Sequence, residues 1–413
     1  MEVKKGYKQT EVGAVPNDWD VKPLGRLVSS VEYGSSTKSD TQGQIPVLRM
    51  GNLQSGKIDW TDLVYTSNER EISKYQLRSG DVLFNRTNTI DLVGKTSIYN
   101  GERPAIFAGY LIRIKADKSL LNSRFLNYIL NAQFSKNYSN KVLSVAVGQA
   151  NINGQKLKSY PIPLPPTLAE QEAIAASLSD VDSLLTALDA LIVKKRLIKQ
   201  GAMQELLTGK KRLPGFNSKW EVKKIGEITR TTAGGTPSTL IDSYWGGEIK
   251  WMSSGELHLK RVYDVEGRIT EEGLKNSSTS IIPPKCVLIG LAGQGKTRGT
   301  VAMNMVELCT NQSIAAILPS NTFAPEYLYF NFDSRYDELR SISTGDGGRG
   351  GLNLTLINKM DVPLPSLPEQ TAIAEILSDM DAEIAALEAR HEKTSLLKQG
   401  MMQELLTGKI RLV

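Results

Sequence analysis

A stretch of twelve residues occurs twice in this chain, as KQGAMQELLTGK over Lys199–Lys210 and as KQGMMQELLTGK over Lys398–Lys409. The two copies of this dodecamer differ only at Ala202, where the second copy has Met401. An internal repeat at one fixed offset is the mark of a duplicated architecture. The sequence therefore predicts two similar halves.

The repeat continues upstream of the dodecamer and then fades. The same offset relates further pairs: Ile174 and Ile373, Leu178 and Leu377, Asp180 and Asp379, Leu188 and Leu387. Beyond them the resemblance is limited to short stretches, such as YPIPLPP (160–166) with MDVPLP (360–365) and WDVK (19–22) with WEVK (220–223). We interpret this pattern as one scaffold that presents two different recognition surfaces. Duplication followed by simple drift is the alternative.

Each repeated segment is predicted to be one long amphipathic helix. A capping box opens both segments, Thr167 with Glu170 and Ser366 with Glu369, and each carboxylate is expected to reach back to the cap N–H. Apolar residues then recur in steps of four and three, which is the period of a seam between two helices. The seam residues are Ile174, Leu178, Val181, Leu185, Leu188 and Ile192 in the first copy, and Ile373, Leu377, Met380, Ile384 and Leu387 in the second.

Two such helices favour an antiparallel coiled coil. A helix of about 40 residues is roughly 60 Å long and is unstable as an isolated rod, so the other copy is its natural partner. Gly209 and Gly408 are expected to cap the C-terminal ends. The segment Ile410-Arg411-Leu412 matches Lys211-Arg212-Leu213, where the second half begins, so the chain is expected to return to the first domain. The result is a pseudo-twofold, nearly circular arrangement. Separate packing of each helix on its own domain is the alternative.

The remaining segments predict two strand-rich globular domains of mixed α+β (α/β) type. We expect the first domain over residues 1–160, the first spacer helix region over 161–213, the second domain over 214–360 and the second spacer helix region over 361–413. The predicted strands are Gln44–Leu48, Asp81–Phe84, Gly94–Tyr99, Tyr110–Ile114, Glu248–Met252, Val287–Gly290, Thr300–Met305 and Ser313–Leu318. Helices are predicted over Ser123–Phe134 and Pro325–Arg340.

Composition narrows the function classes without choosing one. The net charge of +6 permits a nucleic-acid partner but does not require one. The two cysteines have no CxxC spacing and the two histidines have no metal-ligand spacing, so we expect no metal. No apolar run is long enough for a membrane helix, and the first residues do not resemble a secretory signal. We therefore expect a cytoplasmic protein that contacts no membrane.

The stretch GLAGQGKT (290–297) has the spacing of a phosphate-binding loop, so a nucleotide hydrolase is one alternative function. A working phosphate loop needs a helix directly after it, but Arg298-Gly299-Thr300-Val301 predicts a turn and a strand. Gly94-Lys95-Thr96 is interpreted as the counterpart of Gly295-Lys296-Thr297 in the first half. We therefore interpret the stretch as a loop between strands that is a candidate for reading DNA.

Several segments resemble the specificity subunit of type I restriction–modification enzymes. The resemblance rests on the paired PLP-to-Gln segments (163–171 and 363–370), the paired QELLTGK segments, the stretch GDVLFNRT (80–87), and Gly25 and Gly226 near the domain starts. It covers essentially the whole chain and is most specific in the helical regions.

The resemblance implies a subunit that reads double-stranded DNA and is not itself an enzyme. Each globular domain would be a target recognition domain for one half of a bipartite, asymmetric site. The helices would set the unread gap and dock two modification subunits, which use S-adenosylmethionine to methylate adenine. Two restriction subunits, where present, would use ATP and Mg²⁺, and no cofactor is expected in this chain. A coiled-coil scaffold protein without a DNA partner is the alternative.

Loops rich in Gly, Ser, Thr, Asn and Arg supply the candidate DNA contacts, because arginine pairs with guanine and Asn or Gln with adenine. The predicted DNA-binding residues are Asn85, Arg86, Asn88, Lys95, Gln149 and Asn151 in the first domain, and Thr236, Ser253, Gln294, Lys296, Arg298 and Arg349 in the second. The predicted partner-binding residues are Lys199, Gln200, Gln204, Glu205, Lys398, Gln399, Gln403 and Glu404. For any single loop, a solvated turn is the alternative.

Overall fold

The computed structural model describes residues 5–146, 148–293, 295–342 and 351–412. The chain divides into two compact units, of which unit 1 comprises residues 1–189 with 390–413 and unit 2 comprises residues 190–389. Each unit therefore combines one globular domain with the first half of one long helix and the second half of the other.

A four-stranded antiparallel sheet forms the core of unit 1. Its strand order is Thr96–Tyr99, Asp81–Asn85, Leu111–Ala116 and Val28–Tyr33. Because side chains alternate along a strand, Val82 and Phe84 face one apolar cluster and Leu83 faces another. The first cluster contains the helix Ser123–Asn131. Both faces of this sheet are thus covered, which explains why the strand Asp81–Asn85 is wholly buried.

Smaller sheets and short helices complete unit 1. Two three-stranded sheets have the orders Ile106–Phe107, Ile45–Leu48, Val64–Thr66 and Thr87–Asn88, Gln149–Asn151, Ser144–Ala146. Three strand pairs join Tyr7–Thr10 to Gly13–Pro16, Asp20–Pro23 to Pro161–Leu164, and Leu53–Gln54 to Lys57–Ile58. The other short helices are Leu24–Arg26, Met50–Asn52, Glu69–Tyr75, Gln133–Val142 and Gly154–Lys158.

Unit 2 repeats the same plan with a five-stranded core sheet. Its order is Thr231–Ala233, Ile314–Ile317, Val287–Gly290, Val301–Asn304 and Arg261–Val262. A three-stranded sheet has the order Arg268–Ile269, Trp245–Met252, Cys309–Thr310, and Glu221–Lys224 pairs with Asp361–Leu364. The short helices are Ile225–Ile228, Asp242–Tyr244, Ser254–Leu259, Glu271–Lys275, Pro325–Asp333, Tyr336–Ser341 and Leu354–Asn358.

Each predicted strand is present, with ends that shift by a few residues, but both predicted short helices are too long. The helix predicted over Ser123–Phe134 ends at Asn131. The one predicted over Pro325–Arg340 is two helices, because the backbone at Arg335 leaves the helical region at φ −108° and ψ 27°. The Ser334 hydroxyl donates to the carbonyl of Asn331 at 2.7 Å. Such side-chain bonds to the backbone compete with helix continuation.

The two repeated segments form helices of 39 residues each, Leu168–Leu206 and Leu367–Leu405. All predicted seam residues are buried or half-buried. In unit 1, Ile174 and Leu178 lie in one cluster with Leu405 and Leu406. The matching cluster of unit 2 contains Ile373, Leu377, Met203, Leu206 and Leu207. The outer part of the predicted seam is therefore confirmed in each unit.

Polar contacts between the two helices continue the seam where the apolar pattern stops. In unit 1, Lys398 Nζ lies 2.6 Å from the Asp182 carboxylate, and His391 Nε2 lies 3.2 Å from Asp189. Rising residue numbers on one helix meet falling numbers on the other, so the two segments are antiparallel as predicted. In unit 2, Lys199 Nζ lies 2.5 Å from Asp381.

The predicted capping boxes are only partly correct. The Thr167 hydroxyl accepts from Glu170 N at 3.2 Å as expected, but the Glu170 carboxylate does not return to the cap. It is buried and bound by the Arg411 guanidinium. In unit 2, the Glu369 carboxylate likewise accepts from Arg212 Nε and Nη2, at 2.6 and 2.8 Å. Arg411 belongs to unit 1, so the end of the chain does return to the first domain.

The dodecamer offers a matched test of its two glycines. Gly408 has φ +69°, and an added Cβ would lie 2.7 Å from Pro16 and 2.9 Å from Trp19. An added Cβ at Gly400 would meet nothing within 4 Å. We expect Gly408→Ala to lower the free energy of unfolding of unit 1 by more than about 1 kcal/mol, and Gly400→Ala to leave it unchanged or raise it by up to about 1 kcal/mol. Urea denaturation measures both, and equal effects would contradict the assignment of Gly408 as the cap.

Candidate nucleic-acid interface

In unit 1, the loop that carries four of the predicted DNA contacts joins two antiparallel strands. Asn85 N donates to Lys95 O at 2.8 Å, and Gly94 N donates to Asn85 O at 2.8 Å. The Asn85 side chain is fully buried, and its Nδ2 donates to Leu92 O at 3.2 Å. The prediction that Asn85 binds DNA is therefore wrong, because this amide holds the loop from inside.

Arg86 lines a cleft of about 500 Å³, together with the loop Ser35–Ser39 and Tyr110. Its guanidinium stacks on the ring of Tyr33 at 5.0 Å, and Nη1 donates to Gly109 O at 3.1 Å. The side chain is half-buried. Arg86 therefore presents a charge that its stacking partner and a carbonyl keep in place.

A small sheet brings together residues that lie some sixty positions apart in the sequence. The strand Thr87–Asn88 pairs with Gln149–Asn151, and Asn151 Nδ2 donates to the Thr87 hydroxyl at 2.7 Å. Asn88 and Lys95 line a second cleft, of about 370 Å³. The predicted residues Asn88, Lys95, Gln149 and Asn151 thus occur on the loop and the sheet that extends it. Asn88 and Lys95 also share a cleft.

The P-loop-like stretch of unit 2 occupies the same place between two strands. Gly290 N donates to Thr300 O at 3.0 Å and Gly299 N donates to Gly290 O at 2.9 Å, which repeats the bonds of Asn85 in unit 1. Gly299 is therefore the counterpart of Gly94, and the predicted match of Gly94-Lys95-Thr96 with Gly295-Lys296-Thr297 is wrong. The strands on either side pair directly as antiparallel neighbours, so no helix follows to hold a phosphate.

Lys296 is exposed on this loop, whereas Arg298 is half-buried. The carbonyl of Lys296 accepts from the Tyr336 hydroxyl at 3.3 Å, and Arg340 donates to the carbonyl of Gly295. These bonds attach the loop to the helix Tyr336–Ser341. Two other predicted contacts, Gln294 and Arg349, lie outside the described residues.

The remaining two predicted contacts of unit 2 differ in their accessibility. Thr236 is exposed, and its hydroxyl donates to Gln312 Oε1 at 2.5 Å. Ser253 N and its hydroxyl donate to the Glu256 carboxylate at 2.8 and 3.0 Å. The Ser253 hydroxyl is thus already used in capping a turn. Gln312, which sequence reasoning missed, lies beside Thr236 only because the fold brings a distant strand end there.

The predicted partner-binding residues separate into two groups. Lys199 and Lys398 are held in the intramolecular ion pairs of the seam, so we correct their assignment to structural residues. Gln200, Gln204, Glu205, Gln399 and Gln403 are exposed, and Glu404 is half-buried. Exposed apolar side chains adjoin them in each unit: Val193, Leu197 and Ile198 in unit 2, and Leu396 and Leu397 in unit 1.

Within the described residues, His, Cys, Asp and Glu side chains form no group of three or more that could hold a metal ion. Burial raises the pKa of the Cys286 thiol to about 12 and raises the pKa of Cys309 as well. Both thiols therefore stay protonated near neutral pH. Among the described helices, none has the length and apolar content to cross a membrane.

Paired domains with different loops on one repeated scaffold define a protein with two separate recognition surfaces. Residues 16–195 and 217–397 each match the family described as type I restriction modification DNA specificity domain. These matches cover most of the chain, which therefore belongs to this family and carries its domain twice.

Similar proteins agree with this membership, and some of them match over nearly the whole chain. A Methanocaldococcus jannaschii protein named as the specificity subunit of the type I restriction enzyme MjaX is 28% identical over 99% of this chain and 97% of its own. The specificity subunit of EcoR124I/EcoR124II from Escherichia coli is 28% identical over 56% of this chain and 57% of its own. The crystal structure of a type I system S subunit from M. genitalium covers 98% of both chains with a TM-score of 0.63 at 15% identity, so it supports the fold.

Two neighbouring asparagines distinguish loop support from DNA contact. Asn85→Ala removes a buried bond to Leu92 O, so we expect it to lower the free energy of unfolding by about 1–3 kcal/mol. Asn88→Ala removes a half-buried amide in the cleft and should leave stability within about 0.5 kcal/mol. Denaturation of both variants measures this difference. If Asn88→Ala were the more destabilising change, our assignment of the two roles would be reversed.

Proposed function

We propose that each unit of this specificity subunit reads one half of a bipartite, asymmetric site in double-stranded DNA. One observation carries the proposal: the same antiparallel strand pair supports a different loop in each unit. Unit 1 presents Arg86, Asn88 and Lys95 there, and unit 2 presents Lys296. Phosphate contacts from lysine and arginine would supply salt-dependent affinity, and contacts to base edges would supply the discrimination.

A second part of the proposal concerns the helices, which would dock two modification subunits. The dodecamer is nearly identical in both copies although the globular domains diverge, which supports a single kind of partner bound twice. Leu197 is 62% exposed and Leu396 is 60% exposed at equivalent positions of the repeat. Gly201 and Gly400 lie one helical turn after these two leucines, and a Cβ added at either glycine would meet nothing within 4 Å. A partner helix could approach closely at such a glycine.

The chemistry of modification and cleavage would then belong to partner subunits. We propose that the modification subunits methylate adenine with S-adenosylmethionine, that restriction subunits bring ATP and Mg²⁺ where they are present, and that this chain is not catalytic and needs no cofactor of its own. Membership of the DNA specificity family supports this division of roles. The same proposal places the protein in the cytoplasm with the DNA, away from any membrane.

A domain exchange tests the reading role. Replacing residues 1–160 by the corresponding domain of a relative should change one half of the methylated motif and leave the other half and the gap unchanged. The motif is measured by modification-sensitive sequencing of DNA exposed to the assembled complex. A wild-type complex whose methylation or footprint ignores DNA sequence would remove the specificity function and favour the scaffold alternative.

Leucine-to-serine variants test the docking role. Leu396→Ser and Leu197→Ser should each weaken the binding of one modification subunit at least tenfold, because each removes a side chain that a partner would bury. Leu240→Ser is the matched control, since Leu240 is 93% exposed on a loop of unit 2. Native mass spectrometry counts the bound subunits. Retention of two subunits by the double variant Leu197→Ser/Leu396→Ser would contradict this surface.

A further inference from the structure

Arg49 lies between the two clefts that hold the loop residues of unit 1. It follows the strand Ile45–Leu48 and begins the short helix Met50–Asn52. One cleft also contains Lys38, Arg86 and Tyr110, and the other contains Asn88 and Lys95. Arg49 lines both. Sequence analysis missed this residue because no motif marks it and only the fold places it beside the loop.

A buried amide fixes the backbone of Arg49. Asn52 is 3% exposed, and its Oδ1 accepts from Arg49 N at 2.8 Å. Its Nδ2 donates to the carbonyls of Asp59 and Thr61, both at 3.0 Å. The Asn52 side chain therefore connects the backbone N–H of Arg49 to the loop that ends at Asp62. Arg49 and Asp62 are thus held in a fixed relative position before any ligand binds.

The guanidinium of Arg49 is oriented through one nitrogen. Nη2 donates to Asp62 O at 3.0 Å and to Asp62 Oδ2 at 3.1 Å. Across the described parts of the chain, Nε and Nη1 have no hydrogen-bond acceptor. Asp62 has a positive φ of 45°, a sparsely populated conformation that tends to occur at functional sites. Its side chain is 94% exposed, so the carboxylate faces solvent beside the guanidinium.

The exposed Asp62 carboxylate favours a contact of Arg49 to a base over a contact to a phosphate. A phosphate that bound the free side of the Arg49 guanidinium would lie close to the Asp62 carboxylate on its other side. The two negative charges would repel each other. A base edge carries no net charge. The guanidinium N–H groups that Asp62 leaves free can donate to O6 or N7 of guanine, and an aspartate accepts from N4 of cytosine. The pair Arg49 and Asp62 therefore matches the major-groove edge of a single G·C pair.

We propose that Arg49, positioned by Asn52 and flanked by Asp62, is a specificity-determining residue that reads one G·C pair in the half-site of unit 1. This inference rests on the proposed DNA-reading function. Unit 2 keeps the turn, since Ser253 N donates to Glu256 as Arg49 N does to Asn52. It has Ser253 in place of the arginine, so unit 2 has no guanidinium with which to read the same G·C pair at this place.

The assembled complex with its modification subunits tests the inference by the motif that it methylates. Arg49→Ala should relax the motif at one G·C position of one half-site, with a loss of discrimination of roughly 5- to 150-fold. Arg49→Lys should relax the same position, because lysine keeps the charge but lacks the planar guanidinium that Asp62 orients. The unaffected half-site, read by unit 2, reports that the variant has folded and assembled. Lys38→Ala is the matched control and should lower modification of all sequences equally.

Each outcome separates the inference from the function on which it rests. A wild-type complex without a sequence motif overturns the proposed function. A wild-type motif that both Arg49 variants keep at every position, with or without a uniform loss of rate, overturns the base-reading role alone. If Arg49→Ala also abolishes modification at the half-site of unit 2, the Arg49→Lys variant decides between the two outcomes, because it preserves the charge and the turn. A motif that Arg49→Lys leaves unchanged then overturns the base-reading role.

Discussion

A buried carboxylate at the start of each long helix is the contact on which each unit depends. Glu170 and Glu369 have exposures of 1% and 0%, and each is held by an arginine that follows the end of the other helix, Arg411 and Arg212 respectively. A buried charge without its partner is strongly destabilising. Within each unit, this pair therefore requires the end of one helix to lie at the beginning of the other and fixes the antiparallel alignment of the two segments.

The lysines of the dodecamer add specificity to that alignment. A purely apolar seam tolerates shifts by one heptad, whereas a polar residue at a seam position fixes the register. Lys398 can reach Asp182 in only one register, and it also lies 5.8 Å from the ring centre of Tyr128 on the globular domain. Lys199 makes the same kind of contact to Asp381 and to Phe330 in unit 2. The near identity of the dodecamer therefore has a structural cause as well as the proposed docking role.

The globular domains keep one backbone plan with different interiors. In unit 1, Arg113 is 4% exposed within the core sheet and pairs with Asp81 and Glu32, and burial raises the pKa of Asp81. At the same register of unit 2 stand Ala316 and Thr232. Strand pairing depends on backbone bonds and on filled volume, which both sets of side chains satisfy. Such freedom lets the loops on the sheet diverge while the strands that carry them remain.

The repeat, the helix seam, six of the nine strands of the two core sheets and the family followed from the sequence alone, because each of these depends on periodicity or on local motifs. The edge strands Val28–Tyr33, Thr231–Ala233 and Arg261–Val262 were not predicted. The sequence did not determine which polar residues are accessible. Asn85 and Asn88 are three positions apart, yet Asn85 is fully buried in the sheet and Asn88 lines a cleft. The sequence pattern of Lys199 is that of an ordinary surface residue, but in the structure this lysine pairs with Asp381 at the seam between the two helices. Arg49 carries no signal at all. These cases became clear from the folded structure, since burial depends on neighbours that are remote in the chain.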